Sequence, residues 1–197
     1  ALIDAINKHN ERNPGKEVMF LNHGAVDPSL TNDKCSFWHF RFDANADMKS
    51  QALVSHIAAN PAIKKIYIIN QDYAAGHQFT RGVKEYLKSS RGDLQLVGED
   101  LVPLGKVKDF SPYVAKIKAS GADGVVTGNW GTDLSLLIKA AKEAGLTANF
   151  YTYYANLKGS PAAMGADGAD RVRYVGIWNI NNENFLGEDI AAKKKKK

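Results

Sequence analysis

Lys65-Ile66-Tyr67-Ile68-Ile69-Asn70 is a short, continuous apolar run that is rich in β-branched residues. Such a run is typical of a strand that is covered on both faces, as in a parallel sheet. Residues 76–89 follow, and there Phe79, Val83 and Leu87 recur at spacings that form one apolar face of a helix. This change from strand to helix period predicts a βα unit, and with it an α/β fold.

The same alternation of strand and helix continues to the end of the chain. Further strands are predicted at residues 94–100, 123–127, 149–153 and 172–178, and further helices at 109–120 and 133–144. Repeated βα units of this kind predict a parallel sheet with helices on its faces.

The first sixty residues have a different organisation. They predict a helix at 2–9, a break at 13–15, a strand at 17–21, an irregular stretch to residue 46 and a helix at 47–59. One strand cannot make a sheet with a covered face. We therefore expect residues 1–60 to be the end of a domain that begins elsewhere, and residues 61–64 to cross into a second domain.

The formal net charge of +5 does not describe the folded surface, because residues 193–197 are all lysines. Without them, 21 basic residues balance 21 acidic ones, so we expect no nucleic-acid partner, which would need a basic patch. We interpret the lysines as a tail. No apolar run approaches the ~18 residues that a membrane span requires.

The motifs of common enzymes and metal sites are absent from the sequence. No GxGxxG follows the strand at 65–70, and neither GxxxxGK[ST] nor GxSxG occurs. The histidines lack metal-binding spacing, so we expect no metal, no cofactor and no catalysis. Cys35 is the single cysteine, and its aromatic neighbours predict burial, although pairing with a cysteine outside this sequence is an alternative.

A small-molecule site is predicted at the loops that follow the strands. In an open parallel sheet, ligands bind beyond the carboxyl ends of the strands. The loops concerned are residues 22–27, 71–76, 128–132 and 153–156, and the candidate side chains in them are Tyr73, Asn129, Trp130, Tyr153, Tyr154 and His23. Aromatic rings in loops suit the apolar walls of a pocket, although they could instead cover the ends of the sheet or a seam between domains.

Several segments resemble one family, the leucine/isoleucine/valine-binding proteins, in order and spacing from residue 17 to residue 178. They are Gly24-Ala25-Val26-Asp27-Pro28-Ser29-Leu30-Thr31, Ile66-Tyr67-Ile68-Ile69-Asn70-Gln71-Asp72-Tyr73, Lys108-Asp109-Phe110-Ser111 with Ile117-Lys118, Ala122-Asp123-Gly124-Val125-Val126, and Ala140-Ala141-Lys142-Glu143-Ala144-Gly145-Leu146. Each motif alone is weak, but the ordered set is specific.

The resemblance implies a type I periplasmic binding fold, in which two parallel-sheet α/β lobes joined by a hinge close on a solute. It implies an extracytoplasmic receptor of an ABC importer, a monomer in the periplasm or a cell-surface lipoprotein, whose partners are a small solute and an ABC permease in the inner membrane. On that fold, residues 1–60 would end an incomplete lobe one, 61–64 would be the hinge, 65–180 lobe two, and 181–197 a return segment and the tail. A ligand-sensing regulatory or receptor module on the same fold is the alternative, and an enzyme of flavodoxin-like or Rossmann type comes third.

The resemblance also implies roles for single residues. The segment Gly24, Ala25 and Val26 falls where the family holds the ligand carboxylate with backbone N–H groups and a threonine hydroxyl. Tyr73 matches a loop tyrosine that packs on the ligand, and Asn129 or Trp130 falls at the next aromatic contact. Tyr154 falls where amino acid binders place a glutamate against the α-ammonium.

Two departures from the family pattern bear on the solute. Val26 has no side-chain donor, and Tyr154 carries no charge near neutral pH. An unpaired ammonium in a buried site costs several kcal/mol. We therefore expect a neutral or carboxylate-bearing solute, such as an aromatic acid, to bind better than leucine, isoleucine or valine.

Overall fold

The structure, a computed structural model, describes residues 2–176. The N-terminal part contains α1 (Leu2–Arg12), β1 (Phe20–Asn22), a 3-10 helix (Pro28–Thr31), β2 (His39–Arg41) and α2 (Ala46–Ala58). The remainder contains β3 (Lys65–Gln71), α3 (Ala74–Ser90), β4 (Gln95–Val102), α4 (Ser111–Ala119), β5 (Gly124–Thr127), α5 (Gly131–Glu143), β6 (Asn149–Thr152), α6 (Ser160–Met164), a 3-10 helix (Gly165–Gly168) and β7 (Val172–Tyr174).

Within residues 2–176 the larger sheet has five parallel strands in the order β4-β3-β5-β6-β7, which confirms the predicted α/β fold with a parallel sheet. Its central strand β3 is buried from Ile66 onward, as its apolar run predicts. Side chains alternate between the two faces: Ile66 and Ile68 pack in one core cluster, whereas Tyr67 and Ile69 pack in the other.

Helices cover both faces of this sheet. The core around Tyr67 and Ile69 is completed by α4 and α5, and the core around Ile66 and Ile68 is completed by α2 and α3. The predicted helices of this region exist, with ends that differ by a few residues from the expected ones. Among residues 2–176, the short α6 is a helix that the sequence pattern did not indicate.

The helix α2 packs on the larger sheet and not with the N-terminal strands. Its residues Leu53, Val54 and Ile57 share a core cluster with Ile66 and with Phe79 of α3. The structure differs here from the predicted division at 61–64, because those residues connect a helix and a strand of one packed body. We propose that the crossing between lobes lies before α2, at residues 42–45.

The N-terminal unit contains a small parallel pair, β1 and β2, in which Phe20 is aligned with His39. The predicted irregular stretch is therefore wrong at His39–Arg41, since three residues are too few to show a strand period. The predicted strand at 17–21 starts later, at Phe20. Apolar side chains of this unit remain exposed, among them Met19, Leu21, Phe37, Phe40 and Phe42.

Cys35 is exposed, so the prediction that it is buried was wrong. It lies in a turn before β2, where its backbone N–H donates to Asn32 O at 3.0 Å. Its aromatic neighbour Phe37 is 80% exposed, and so it forms no apolar cover for the thiol.

The last predicted strand is present from Val172 to Tyr174. Its predicted extension to residue 178, like the proposed return segment and tail at 181–197, lies outside the described residues. No helix of residues 2–176 is long and apolar enough to cross a membrane.

Candidate ligand-binding site

The parallel strands bring three of the predicted loops to one edge of the sheet. β3 is aligned with β5, and β5 with β6 as far as Thr127 and Thr152. The chain therefore leaves β3, β5 and β6 at the same, carboxyl, edge. The loops that carry Tyr73, Trp130 and Tyr154 follow directly.

Tyr73 and Trp130 are joined across this edge. Trp130 Nε1–H donates to the Tyr73 hydroxyl at 3.1 Å. Each residue precedes a helix, Tyr73 at the N-cap of α3 and Trp130 at the N-cap of α5, and each has an extended backbone. Burial raises the pKa of the Tyr73 phenol, although the hydrogen bond from Trp130 lowers it, so the phenol is neutral at physiological pH.

Tyr154 is the third aromatic residue of the edge. Its ring lies edge-on to Phe79 with 5.9 Å between centroids, and Lys49 Nζ lies 5.2 Å from its centroid. Burial raises the pKa of the Tyr154 phenol, and the nearby Tyr73 and Asp43 raise it further. Tyr154 is therefore close enough to Tyr73 for the charge of one phenol to affect the pKa of the other.

Tyr153, which the sequence analysis placed in the pocket, lies in the core. It is 2% exposed, and its ring stacks on Phe79 at 4.0 Å. Its hydroxyl lies 3.4 Å from Ser50 Oγ. The reason is the strand period: Tyr151 and Tyr153 are two residues apart and face the same side of the sheet, toward α2 and α3.

Buried contacts fix the loops that carry the aromatic residues. Asn70 Oδ1 accepts from Gly128 N at 2.5 Å, and Asn70 Nδ2 donates to Thr80 Oγ1 at 2.7 Å. A Cβ atom at Gly128 would lie 2.8 Å from Phe79 Cδ2. One at Gly76 would lie 1.8 Å from the Gln71 carbonyl oxygen. Both positions need glycine because the chain approaches its neighbours too closely for a side chain.

Asn129, beside Trp130, is fully buried and carries an unsatisfied side chain. Its backbone N–H donates to Thr127 Oγ1 at 3.1 Å. Neither Nδ2 nor Oδ1 has a hydrogen-bond partner among residues 2–176. Because buried polar groups are nearly always paired, this amide is a candidate contact for a polar group of a solute.

The loop from the N-terminal unit differs from what the resemblance implied. Asn22 Oδ1 accepts from Gly24 N at 3.1 Å and from Ala25 N at 2.8 Å, so these N–H groups already have a partner. His23, Gly24 and Ala25 are exposed. Val26 is 3% exposed and packs in the core cluster that Tyr154 also contacts.

An ion pair that the sequence analysis missed lies under Tyr154. Lys49 Nζ and Asp43 Oδ2 are 2.6 Å apart, and their side chains are 7% and 13% exposed. The sequence contains a signal for this ion pair, since Lys49 lies one helical turn before Leu53 and two before Ile57, on the buried face of α2. A lysine in such a stripe needs a buried acid as its partner.

No group of three or more histidine, cysteine, aspartate or glutamate side chains within residues 2–176 is arranged to hold a metal ion. The candidate site consists of aromatic faces, an amide and one ion pair.

Residues 4–194 of the chain match the family model described as periplasmic binding protein. The Leu/Ile/Val-binding protein homolog 4 of Brucella abortus (strain 2308) is 40% identical over 166 residues, which are 84% of this chain and 39% of that protein. The chain thus spans about 39% of the length of this curated relative.

Solved structures show the same fold. The leucine-, isoleucine-, valine-, threonine- and alanine-binding protein from Brucella ovis, in its closed conformation, is 35% identical with a TM-score of 0.84, over 99% of this chain and 50% of that one. A solute-binding protein of an ABC transporter from R. palustris, solved with benzoate, is 22% identical with a TM-score of 0.74, over 84% of this chain and 44% of that one. At that identity the likeness concerns the fold alone. The chain belongs to the periplasmic binding proteins of type I, in the branched-chain amino acid family.

Proposed function

We propose that the protein is the extracytoplasmic solute-binding component of an ABC importer, and that it captures a small organic solute between two lobes. The solute is an amino acid or an aromatic or aliphatic carboxylate. The proposal covers a periplasmic or lipid-anchored location, a monomeric state and delivery to an ABC permease. It involves affinity and a change of shape, with no cofactor and no bond made or broken.

The observation that carries the proposal is the aromatic group Tyr73, Trp130 and Tyr154 at the carboxyl edge of the sheet. Trp130 is 41% exposed, although exposure leaves its apolar area in water. Pockets for small molecules combine such apolar walls with a few polar groups, which Asn129 and the Asp43–Lys49 pair supply here.

The mechanism that fits this site is closure of two lobes by a hinge. One wall is the edge of the larger sheet, and the segment at residues 42–45 leads from it toward β1 and β2. Closure removes water from the solute on both sides, and this desolvation supplies the binding free energy. The relatives' names, which include leucine, isoleucine and valine, support an amino acid as one candidate solute.

Thermal unfolding of the full-length protein with a panel of solutes tests the proposal. The panel contains branched-chain amino acids, small amides and aromatic and aliphatic carboxylates. A solute that binds the folded state raises the melting temperature by mass action. We expect at least one member of the panel to do so, with calorimetry showing one site per chain. If none of these solutes raised the melting temperature, the proposed function would be wrong.

A further inference from the structure

A second pocket lies beside the aromatic group, between α5 and the segment that leads into α6. Its volume is about 410 Å³. One wall is formed by side chains of residues 131–139 in α5, and the other by side chains of residues 158–163. Tyr73, Trp130 and Tyr154 do not line it. The pocket is therefore distinct from the candidate solute site.

The charged residues of this pocket are both basic. Lys139 and Lys158 line it, both are exposed, and neither has an acidic partner within residues 2–176. Asp133, the acid in the first turn of α5, does not line the pocket. Its side chain is buried, and Oδ2 accepts from Gln71 Nε2 at 2.7 Å and from Gly105 N at 2.8 Å. The walls of the pocket thus have a net positive charge.

The beginning of α5 adds to this positive potential. α5 has 13 residues, and its N-cap residue Trp130 makes no side-chain hydrogen bond to the first turn. The first N–H groups of a helix have no acceptor within the helix, and they form the positive end of its dipole. Gly131 and Thr132, the first residues of α5, line the pocket. These N–H groups are therefore available to an anion in it.

The opposite wall contains a buried hydroxyl group without a partner. Ser160 is 5% exposed and lines the pocket, but its Oγ makes no hydrogen bond within residues 2–176. This hydroxyl is not fully enclosed by protein, so its remaining exposure faces the pocket. Ser135 differs, since its Oγ donates to Gly131 O at 3.2 Å. Because buried polar groups are nearly always paired, Ser160 Oγ is a donor that a bound molecule would satisfy.

These groups are complementary to an oxyanion. Ammonium, hydroxyl and N–H groups from both walls can donate hydrogen bonds, and no carboxylate lines the pocket. A phosphate group suits them better than a carboxylate, because its oxygens point in tetrahedral directions and can accept from both walls at once. Leu136 and Ala163 add apolar surface, and pockets of this volume hold small organic molecules.

We propose that the pocket between α5 and α6 binds a phosphate group, either as a free ion or on a small phosphorylated molecule. Lys139, Lys158 and Ser160 hold it, together with the N–H groups at the start of α5. This site goes beyond the proposed capture of a solute, since it shares no side chain with the aromatic group.

The alternative is a diffuse attraction of anions to two solvated lysines. Such an attraction depends on the charge of the surface and is screened by salt. It would not depend on the neutral hydroxyl of Ser160, and it would not saturate at one ion per chain.

Calorimetry on the full-length protein, without any organic solute, tests the proposal. The protein is titrated with inorganic phosphate and with phenyl phosphate, and sodium chloride of equal ionic strength serves as the comparison. We expect saturable binding of phosphate at one site per chain, and none of chloride. Tighter binding of phenyl phosphate would assign the pocket to an organic phosphate, whereas equal or weaker binding would assign it to the free ion; both results support the proposal.

Variants of the two walls locate the site. Lys139→Gln/Lys158→Gln should weaken phosphate binding at least ~10-fold, and Ser160→Ala at least ~3-fold. The matched control is Lys88→Gln/Lys142→Gln, which removes the same charge from exposed lysines outside the pocket and should change the affinity less than ~2-fold. Circular dichroism establishes that each variant is folded. Absence of saturable binding by the wild type, equal weakening in the two double variants, or unchanged affinity in Ser160→Ala would each overturn the proposal.

A further variant separates this pocket from the candidate solute site. Trp130→Ala should still bind phosphate, because the ring does not line the pocket. Loss of phosphate binding in this variant would place the anion at the aromatic group and overturn the proposal. If phosphate bound as expected but no organic solute did, the pocket would stand and the proposed solute-binding function would fall.

Discussion

Trp130 combines a large apolar ring with 41% exposure and a polar group that reaches Tyr73. A ring in this position adds little to the stability of the fold, since burial of apolar area is the main stabilising term. Buried tryptophans at binding sites, in contrast, are among the residues whose truncation weakens binding most. The same ring should therefore matter much more for affinity than for folding.

Replacement of Trp130 by alanine tests this separation. Trp130→Ala should weaken solute binding by at least ~2 kcal/mol, measured by calorimetry, and change the free energy of unfolding by less than ~1 kcal/mol. Leu104→Ala is the matched control, because Leu104 is an apolar residue beyond the end of β4 with 38% exposure. Affinity close to that of the wild type in Trp130→Ala would remove the ring from the site.

The Asp43–Lys49 pair makes a prediction about stability that is independent of any solute. Asp43→Asn should lower the free energy of unfolding by roughly 3–5 kcal/mol, because it leaves Lys49 charged and buried. The double variant with Lys49→Met should recover most of this loss. Urea denaturation measures both, and equal stability of the single and double variants would contradict a coupled buried pair.

Single residues show where the sequence was sufficient and where it was not. Tyr73, Trp130 and Tyr154 could be predicted at the carboxyl edge because they follow strands directly. Tyr153 and Cys35 were misplaced, since the direction of a side chain depends on which face of the sheet it leaves and on what covers it. The role of Asp43 was not predicted, because its partner is the single side chain of Lys49 and no sequence motif marks such a pair.

Among the elements, a long strand covered on both faces could be predicted from the sequence, whereas a very short strand could not. β3 has seven residues, buried from its second position onward, and its apolar run predicts it directly. β2 has three residues, and its pattern cannot be told from a loop. The attachment of α2 to the larger sheet was also hidden, because an apolar helical face does not specify which surface it covers.

The loop between β5 and α5 is positioned by close packing at Gly128. A Cβ atom there would lie 2.8 Å from the ring of Phe79 and 3.1 Å from Asn70 Oδ1. Gly128→Ala should lower the free energy of unfolding by ~1–3 kcal/mol through overpacking, and should weaken solute binding because the loop carries Asn129 and Trp130. Gly92→Ala is the control, since its nearest neighbour would be at 3.7 Å. Urea denaturation and calorimetry measure the two effects, and a Gly128→Ala protein that matched the control in both would contradict this account of the loop.

At the scale of the whole molecule, buried tyrosines tie the fold together on both sides of the sheet. On one side the Tyr67 hydroxyl donates to Asp100 Oδ2 at 2.6 Å. On the other, Tyr153 stacks on Phe79 within the core. Burial raises the pKa of both phenols above the ordinary value of 10.0, and for Tyr67 the hydrogen bond to Asp100 adds to the effect.

These shifts predict a loss of stability in alkali. In the unfolded chain the tyrosines lose their protons near pH 10.0, whereas in the folded chain they keep them to higher pH. The unfolded state then binds fewer protons, so the free energy of unfolding is constant below the unfolded pKa and falls as the pH rises from that pKa toward the folded one. Urea midpoints measured from about pH 8 to about pH 11 should show this fall, with the tyrosinate absorbance of the buried phenols appearing only as the protein unfolds. Tyr67→Phe, which removes one of these phenols and its bond to Asp100, should make the fall less steep. A midpoint that stayed constant over this range, or tyrosinate absorbance from all tyrosines of the still folded protein, would contradict the burial of these phenols.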